Sequence, residues 1–272
     1  MRPPRTRALL VALAVVAGAA AVGPAPAGAA APAPIVRPDA PIASPLELGR
    51  QLFAANCSTC HGSLGRGVSS AAPQRGSSAP VGLGPSLIGV GKLATDFYLR
   101  TGYMPLGDPH AQPERSRVQL TDREIRSLET YVDSLSSVPG PPVPSPRPET
   151  GSVSDGLQLF TEHCAGCHQA VAEGGVVTGA RVPPLSSSTA VQIAQAVRIG
   201  PYVMPRFSQK DISDAQLQSI VRYVQYAQNP DDRGGMGISH LGPFPEGIVT
   251  GFVAIVVLTG LCVLIGERVR RA

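Results

Sequence analysis

The fold is decided by two short stretches of sequence, Cys57-Ser-Thr-Cys60-His61 and Cys164-Ala-Gly-Cys167-His168. Each has two cysteines three positions apart, followed at once by a histidine. Together they hold four of the five cysteines in the 272-residue chain. Their surroundings repeat as well, since Gly49-Arg-Gln-Leu-Phe53 and Gly156-Leu-Gln-Leu-Phe160 each end four residues before the first cysteine of a stretch. The chain therefore contains a duplicated unit built around C-x-x-C-H.

The spacing of this motif matches the chemistry of covalently attached haem. Two thiols at this spacing can form thioethers with the two vinyl groups of one haem, and the adjoining histidine then lies beneath the porphyrin as the proximal iron ligand. We therefore predict two covalent haem c groups, attached through Cys57, Cys60, Cys164 and Cys167 and ligated by His61 and His168. Two alternatives stay open from the residues alone. One is a zinc knuckle, for which the adjoining histidine is an awkward ligand, and the other is a pair of structural disulfides in an exported chain.

A methionine lies at an equivalent place downstream of each motif, in Gly102-Tyr-Met104-Pro105 and in Tyr202-Val-Met204-Pro205. It follows the motif's histidine by 43 residues in the first unit and by 36 in the second. Methionine is usually a core residue, but the chain has four, of which one is the initiator. We predict that Met104 and Met204 are the sixth iron ligands, which raises the reduction potential and leaves neither iron an open position for substrate.

Each repeat closes with a predicted helix that starts in the same way. Thr121-Asp-Arg-Glu124 and Ser213-Asp-Ala-Gln216 are capping boxes, in which the first hydroxyl and the fourth side chain satisfy free backbone N–H groups. Apolar residues with helical spacing follow both boxes: Ile125, Leu128, Val132 and Leu135, then Leu217, Ile220, Val221 and Val224. The sequence thus predicts the order helix, C-x-x-C-H, irregular loop, Met-Pro, helix in each unit.

This layout resembles the class I cytochrome c domain, present twice, over residues 46–136 and 152–228. The resemblance implies a mainly α fold in which an N-terminal helix crosses a C-terminal helix. It also implies that haem fills the core that aromatic side chains would otherwise fill. That agrees with a chain that has no Trp and only six Phe and six Tyr.

The resemblance assigns roles to several small residues. Gly49 and Gly156 would lie where the two helices of each unit approach closely. A proline carbonyl would accept a hydrogen bond from each proximal histidine and hold its ring. Pro85 is the candidate in the first unit, whereas Pro183 and Pro184 both stay open in the second.

Both ends of the chain carry the signals of membrane targeting. Residues 1–29 contain three arginines, an apolar run at 8–22 and a small-residue site at 27–29, which predicts a secretory signal, with a retained anchor as the alternative. Residues 247–266 form an uncharged run of 20 residues, long enough to cross a bilayer as a C-terminal transmembrane helix. The tail at 267–272 carries three arginines and one glutamate, so it is expected in the cytoplasm, with the haem domains on the extracytoplasmic side of the cell membrane.

The segments between these parts read as linkers, one rich in proline at 137–151 and one next to the membrane at 229–246. The proline-rich linker could set the two units apart or lie against them. The net charge of +4 comes from the two ends, because residues 30–246 carry 17 basic and 18 acidic side chains. A nucleic-acid interface needs basic residues clustered on a folded face, so the charge pattern argues against nucleic-acid binding.

The whole arrangement is similar to the dihaem cytochrome c subunit of the actinobacterial cytochrome bcc complex, a menaquinol:cytochrome c reductase. The resemblance implies a cytochrome b subunit beside it, a Rieske iron-sulfur subunit as donor and a haem-copper terminal oxidase as acceptor. The chain would then be a subunit of an oxidoreductase that also acts as a translocase, and an electron carrier when isolated. Alternatives are a dihaem subunit of another membrane oxidase or dehydrogenase, and a dihaem cytochrome c peroxidase.

Overall fold

The computed structural model describes residues 34–69, 82–108, 112–230 and 243–271. The signal predicted at 1–29 and most of the linker predicted at 229–246 lie outside these residues. In the described ranges the chain is mainly helical, with two helical units followed by one long apolar helix. This agrees with the fold class that the sequence predicts.

The first unit has four described helices and one pair of very short strands. The helices are α1 (Pro45–Asn56), α2 (Ser58–His61), α3 (Gly91–Arg100) and α4 (Asp122–Ser134). Strand β1 (Val68–Ser69) pairs antiparallel with β2 (Gly82–Gly84). Ser44 caps the N-terminus of helix α1, because its side chain accepts a hydrogen bond from the N–H of Glu47. Pro45 follows at the first helical position, where its missing N–H costs nothing.

The second unit repeats this order. Its helices are α5 (Val153–His163), α6 (Ala165–His168), α7 (Ala190–Ile199) and α8 (Asp214–Gln228). Strands β3 (Gly175–Val177) and β4 (Ala180–Val182) form an antiparallel pair in which Val176 lies opposite Arg181. Helix α9 (Pro243–Arg271) ends the described chain.

The expectation of an irregular loop between each C-x-x-C-H and Met-Pro is wrong. In both units this segment contains a ten-residue helix, α3 or α7, and a short antiparallel strand pair. Helix α7 has a capping box of its own, formed by Thr189 and Gln192, whereas α3 has no side-chain cap. Helices of this length are marginal alone and depend on tertiary packing, here of α3 on α4 and of α7 on α8.

The crossing of the first and last helix in each unit depends on a glycine, as the resemblance implies. A Cβ added to Gly49 would lie 2.0 Å from the carbonyl oxygen of Ser127, and one added to Gly156 would lie 2.0 Å from that of Ser219. Beside each crossing a phenylalanine ring packs against a tyrosine ring, with centroids 5.1 Å apart in the first unit and 5.3 Å in the second. Any side chain larger than hydrogen at these glycines would push the helices apart.

Both predicted capping boxes are confirmed. The N–H of Thr121 donates to Glu124 Oε2 at 2.7 Å, and the N–H of Ser213 donates to Gln216 Oε1 at 2.8 Å. The apolar faces that follow point into the two cores, where only Leu135 of the predicted set stays half-exposed. The fully enclosed members of these faces are Ile125, Leu128, Val132, Leu217, Ile220, Val221 and Val224.

The proline-rich linker lies against the units rather than holding them apart. The carbonyl oxygen of Pro141 accepts a hydrogen bond from the N–H of Leu93 at 3.0 Å, and a Cβ added to Gly91 would lie 2.5 Å from the Cα of Gly140. Near its other end, the N–H of Arg147 donates to Gln218 Oε1. The linker is therefore bonded to α3 at one end and to α8 at the other.

The two units contact each other through α3 and α7. Gln195 is completely buried at this contact, and its Nε2 donates to Asp96 Oδ2 at 2.7 Å. Gln192 Nε2 donates to the carbonyl oxygen of Arg100 at 3.3 Å. Gln112 and Arg181 form a second contact, in which the N–H of Arg181 donates to Gln112 Oε1 at 2.8 Å. The second haem-binding unit is thus docked on the first.

Helix α9 matches the predicted membrane span. Residues Gly247–Arg270 are long and apolar enough to cross a bilayer, with a mean hydropathy of 2.8, and they are exposed along their whole length. The helix continues through most of the segment predicted as a tail, ending at Arg271. An apolar helix that no part of the described protein covers is suited to a lipid environment.

Candidate haem-binding sites

Each C-x-x-C-H motif begins where the first helix of its unit ends. The N–H of Cys57 donates to the carbonyl oxygen of Phe53 at 2.8 Å, and the N–H of Cys164 makes the equivalent bond to Phe160 at 2.8 Å. One further helical turn, α2 or α6, carries the rest of the motif. Residues three and four apart share a face of such a turn, so both thiols and the histidine are brought to one side of the chain.

The four motif cysteines are free thiols. Burial, and to a smaller extent the neighbouring thiol, raises the pKa of Cys57 to about 12 and that of Cys164 to about 11. Because none of these four cysteines is paired with another, the disulfide alternative is not realised. In the described part of the chain, no group of three or more His, Cys, Asp and Glu side chains is arranged to hold a metal ion, which leaves the zinc-knuckle alternative without further ligands.

His61 is oriented by the proline that the resemblance assigns to it. Its Nδ1 lies 2.8 Å from the carbonyl oxygen of Pro85, and the residue is 9% exposed. A histidine whose Nδ1 donates to a carbonyl presents Nε2 as the metal ligand. Sequence reasoning missed Gly84, where a Cβ would lie 2.6 Å from the carbonyl oxygen of Cys60. This glycine lets the backbone before Pro85 pass close beneath the motif, and its place directly before the proline was the available signal.

The ring of His168 is also buried and lies near a proline carbonyl. Among the described residues its Nδ1 has no partner with full hydrogen-bond geometry. Burial lowers the pKa of His168, and the backbone carbonyl of Pro183 partly opposes this effect. Of the two prolines that the sequence leaves open, Pro183 is therefore the one that acts on the ring.

The two methionines follow α3 and α7, the helices that sequence reasoning missed. The N–H of Met104 donates to the carbonyl oxygen of Tyr98 at 3.1 Å, and that of Met204 donates to Pro201 at 3.0 Å. Met104 packs against the core of the first unit and Met204 against the core of the second. Both side chains thus lie at the interior of the unit in which they are predicted to act.

In the second unit, one cavity brings together all four predicted residues, namely Cys164, Cys167, His168 and Met204. Its empty space is about 1340 Å³, counting the part open to solvent. Apolar side chains, including Phe160, Ile193 and Val224, form most of the wall. A large apolar cavity with two thiols, an imidazole and a thioether fits a covalently attached haem.

Part of this cavity wall comes from the first unit. Phe97, Tyr98, Tyr103, Gln112 and Arg115 all line it. The three aromatic rings contact one another, with centroid separations from 5.4 to 6.4 Å. Tyr103 adjoins Met104 in the first Met-Pro motif, but the other residues carry no sequence motif. Their place in this wall depends on how the two units dock, which the sequence does not show.

Comparisons with known proteins agree with this geometry. Residues 46–136 match the family model for cytochrome c, and residues 151–224 match the model for cytochrome c oxidase, cbb3-type, subunit III. A Mycobacterium tuberculosis protein named cytochrome bc1 complex cytochrome c subunit is 33% identical over 271 residues, which cover 96% of this chain and 89% of that protein. This chain belongs to the family of cytochrome bc1 complex cytochrome c subunits.

Two further relatives match the chain to different extents. The Corynebacterium diphtheriae protein of the same name is 30% identical over 258 residues, covering 86% of this chain and 87% of that protein. A cbb3-type cytochrome c oxidase subunit CcoP from an Azospirillum species is 27% identical over 207 residues, covering 65% of this chain and 60% of that protein. Electron transfer by two cytochrome c domains is therefore the activity of this bc1 subunit.

Proposed function

We propose that this bc1 subunit carries two covalent haem c groups and conducts electrons between them as part of a menaquinol:cytochrome c reductase. The observation that carries the proposal is the duplication of one arrangement. In each unit a C-x-x-C-H turn ends the first helix, a proline carbonyl acts on the histidine, and a methionine packs against the core. Bound at such sites, haem iron supplies a one-electron couple.

The residues of each unit have separate tasks in this mechanism. Cys57 and Cys60, and likewise Cys164 and Cys167, would attach the haem through thioethers. His61 would donate its Nδ1 proton to Pro85, which fixes the ring and leaves Nε2 as the metal ligand. Each methionine would supply a thioether ligand to the iron, so that small molecules are excluded and the haem only gains or loses an electron.

The C-terminal helix supports a location for this chain in the proposed complex. Anchored by α9, with the arginines at 268, 270 and 271 in the cytoplasm, the two units would lie on the extracytoplasmic side. There they would accept electrons from a Rieske iron-sulfur subunit next to cytochrome b and deliver them to a haem-copper terminal oxidase.

A second candidate function is that of a dihaem subunit in a cbb-type oxidase. Residues 151–224 and the Azospirillum relative favour it. Against it stands the coverage, since that relative matches 65% of this chain while the mycobacterial bc1 subunits match 96%. The peroxidase alternative needs an iron with an open position, which the two equivalent methionines oppose.

The proposal is tested on the full-length protein extracted gently from membranes. We expect a low-spin c-type spectrum, two haems per chain, and cytochrome b and Rieske subunits among the co-purifying proteins. The double substitution Cys164→Ala/Cys167→Ala should reduce the haem content by about half. The matched control is Cys262→Ala, a cysteine exposed on α9, which should keep both haems. A colourless wild-type protein, or one that co-purifies with a cbb-type catalytic subunit, would contradict the proposal.

A further inference from the structure

The cavity of the second unit has an unusual charge pattern. Among the described residues that line it, the only formally charged ones are two arginines, Arg181 from the second unit and Arg115 from the first. The rest of the wall is largely apolar or aromatic. Both arginines are exposed, so they carry their charge at the mouth of the cavity, where each can form a charge-assisted hydrogen bond with an anionic occupant.

The two arginines differ in how their charges are balanced. Arg181 forms an ion pair with Glu114, across the contact between the units. Arg115 has only neutral partners: its Nη2 lies 3.1 Å from Gln192 Oε1 and 3.4 Å from Ser188 Oγ. Among the described residues no carboxylate lies within ion-pair distance of the Arg115 guanidinium. It is therefore the unbalanced charge at the cavity.

The partners of Arg115 increase the demand for an anion. Gln192 belongs to the capping box of α7, so Arg115 is held at the N-terminus of that helix. The helix dipole gives this end partial positive charge, which adds to the charge of the guanidinium. The rings of Tyr98 and Tyr103, from the same unit as Arg115, also line the cavity. A carboxylate would meet a planar cation and the positive end of a helix here.

Resting on the proposed function, in which haem occupies this cavity, we propose that Arg115 of the first unit binds a carboxylate of the haem held by the second unit. Haem carries two carboxylates on its propionate arms, and the cavity has two arginines. Positive charge near the carboxylate stabilises the reduced form of the haem, so Arg115 raises the potential of the second haem. Because Arg115 reaches this cavity from the other unit, the effect requires the two units to be docked.

The test is a spectroelectrochemical titration of the full-length protein with both haems attached. The wild-type curve contains one oxidation step for each haem. Met204→His identifies the step of the second haem, because a thioether ligand raises the potential relative to imidazole. We expect Arg115→Gln to shift that step towards lower potential. At a fixed potential, the ratio of oxidised to reduced haem should rise about tenfold. For a one-electron couple this corresponds to about 59 mV.

Arg117→Gln is the matched control. It removes the same charge two residues away, from an exposed side chain that does not line the cavity, and we expect neither step to move. Arg115→Lys keeps the charge but loses the planar fork, so its shift should lie between those of the wild type and Arg115→Gln. If Arg115→Gln attaches only one haem, the proposal is tested by the potential of the second haem in Arg115→Lys instead.

Two results separate the two proposals. A wild-type protein with two haems whose second step is the same in Arg115→Gln, Arg115→Lys and Arg117→Gln overturns the role of Arg115 and leaves the proposed function intact. A wild-type protein that binds fewer than two haems overturns the proposed function itself. A shift of the first step alone would also contradict the inference, because it would place Arg115 at the other haem.

Discussion

The two cytochrome c units share their helix crossing but differ around the haem-binding residues. His61 has a proline carbonyl 2.8 Å from its Nδ1, whereas the Pro183 carbonyl near His168 does not meet full hydrogen-bond geometry with the ring. The second unit also borrows part of its cavity wall from the first, including Tyr103 and Arg115. Duplication thus preserved the scaffold, while docking made the two sites chemically unequal.

The same asymmetry appears where the units meet. Asp96 on α3 and Gln195 on α7 occupy equivalent places in their helices and bond to each other. Beside Asp96 lies Glu129 of α4, whereas Val221 holds the equivalent place on α8. The first unit therefore buries a pair of carboxyl groups at a place where the second has none.

The axial methionines allow the largest test of the comparison. Met104→Ala and Met204→Ala should each open one iron, so each variant should bind about one carbon monoxide per chain, seen as a partial shift of the reduced absorption spectrum. Met236→Ala, outside both units in the sequence, is the control and should bind none. If either variant binds no carbon monoxide, that methionine is not a ligand and the units are less alike than the sequence indicates.

The crossing glycines test whether the shared scaffold is equally tight in both units. Gly49→Ala and Gly156→Ala should each lower the free energy of unfolding by roughly 3 kcal/mol or more, because the new Cβ would overlap a backbone carbonyl. Gly166→Ala is the control, since a Cβ there would meet nothing within 4 Å. Denaturant unfolding of the haem-loaded protein measures the difference. A loss no greater than that of Gly166→Ala would contradict close packing at that crossing.

The carboxyl pair predicts a smaller, pH-dependent effect confined to the first unit. Burial, together with the nearby Asp96, raises the pKa of Glu129 from 4.5 to about 7. Below pH 4.5 the group is protonated in both the folded and the unfolded chain. Between pH 4.5 and pH 7 the unfolded chain loses this proton before the folded chain does, so the free energy of unfolding falls as the pH rises. The loss of stability is complete above pH 7.

Glu129→Gln should remove this dependence. At pH 8 we expect the variant to be more stable than the wild type by about 1 kcal/mol, after allowance for solvent screening, and at pH 4 we expect little difference. Glu47→Gln is a control in which the pKa shift has the opposite direction, because Arg50 and Gln51 lower the pKa of this exposed carboxyl to about 2. Equal stability of wild type and Glu129→Gln across pH 4 to 8 would show that the pair does not titrate in this range.

Local features of the sequence predicted much of this structure. The capping boxes at Thr121 and Ser213 depend on residues close together in the chain. The tight approach at Gly49 joins it to the distant Ser127, and the resemblance to cytochrome c domains implied it. Helix α3 escaped prediction because it is short, lacks a side-chain cap and relies on packing against α4.

The residues of the candidate site likewise differ in how far the sequence predicts them. The predicted thiols, imidazole and thioether of the second unit meet in one cavity, because each belongs to a motif that specifies its own turn. The contribution of Arg115 could not be predicted, since it depends on side chains that meet only after α3 docks on α7. The choice of Pro183 over Pro184 likewise depends on backbone direction, which two adjacent prolines do not reveal in sequence.

The linker that is bonded to both units has a consequence for how quickly charge can move. A freely diffusing carrier must leave one partner, cross the solvent and find the next, and a carrier on a flexible tether must still swing. Here Pro141 is tied to α3 and Arg147 to α8 while the units themselves are docked. In the proposed function, an electron would therefore pass between the two haems without any movement of one unit relative to the other, and only the exchanges with other proteins would require an encounter.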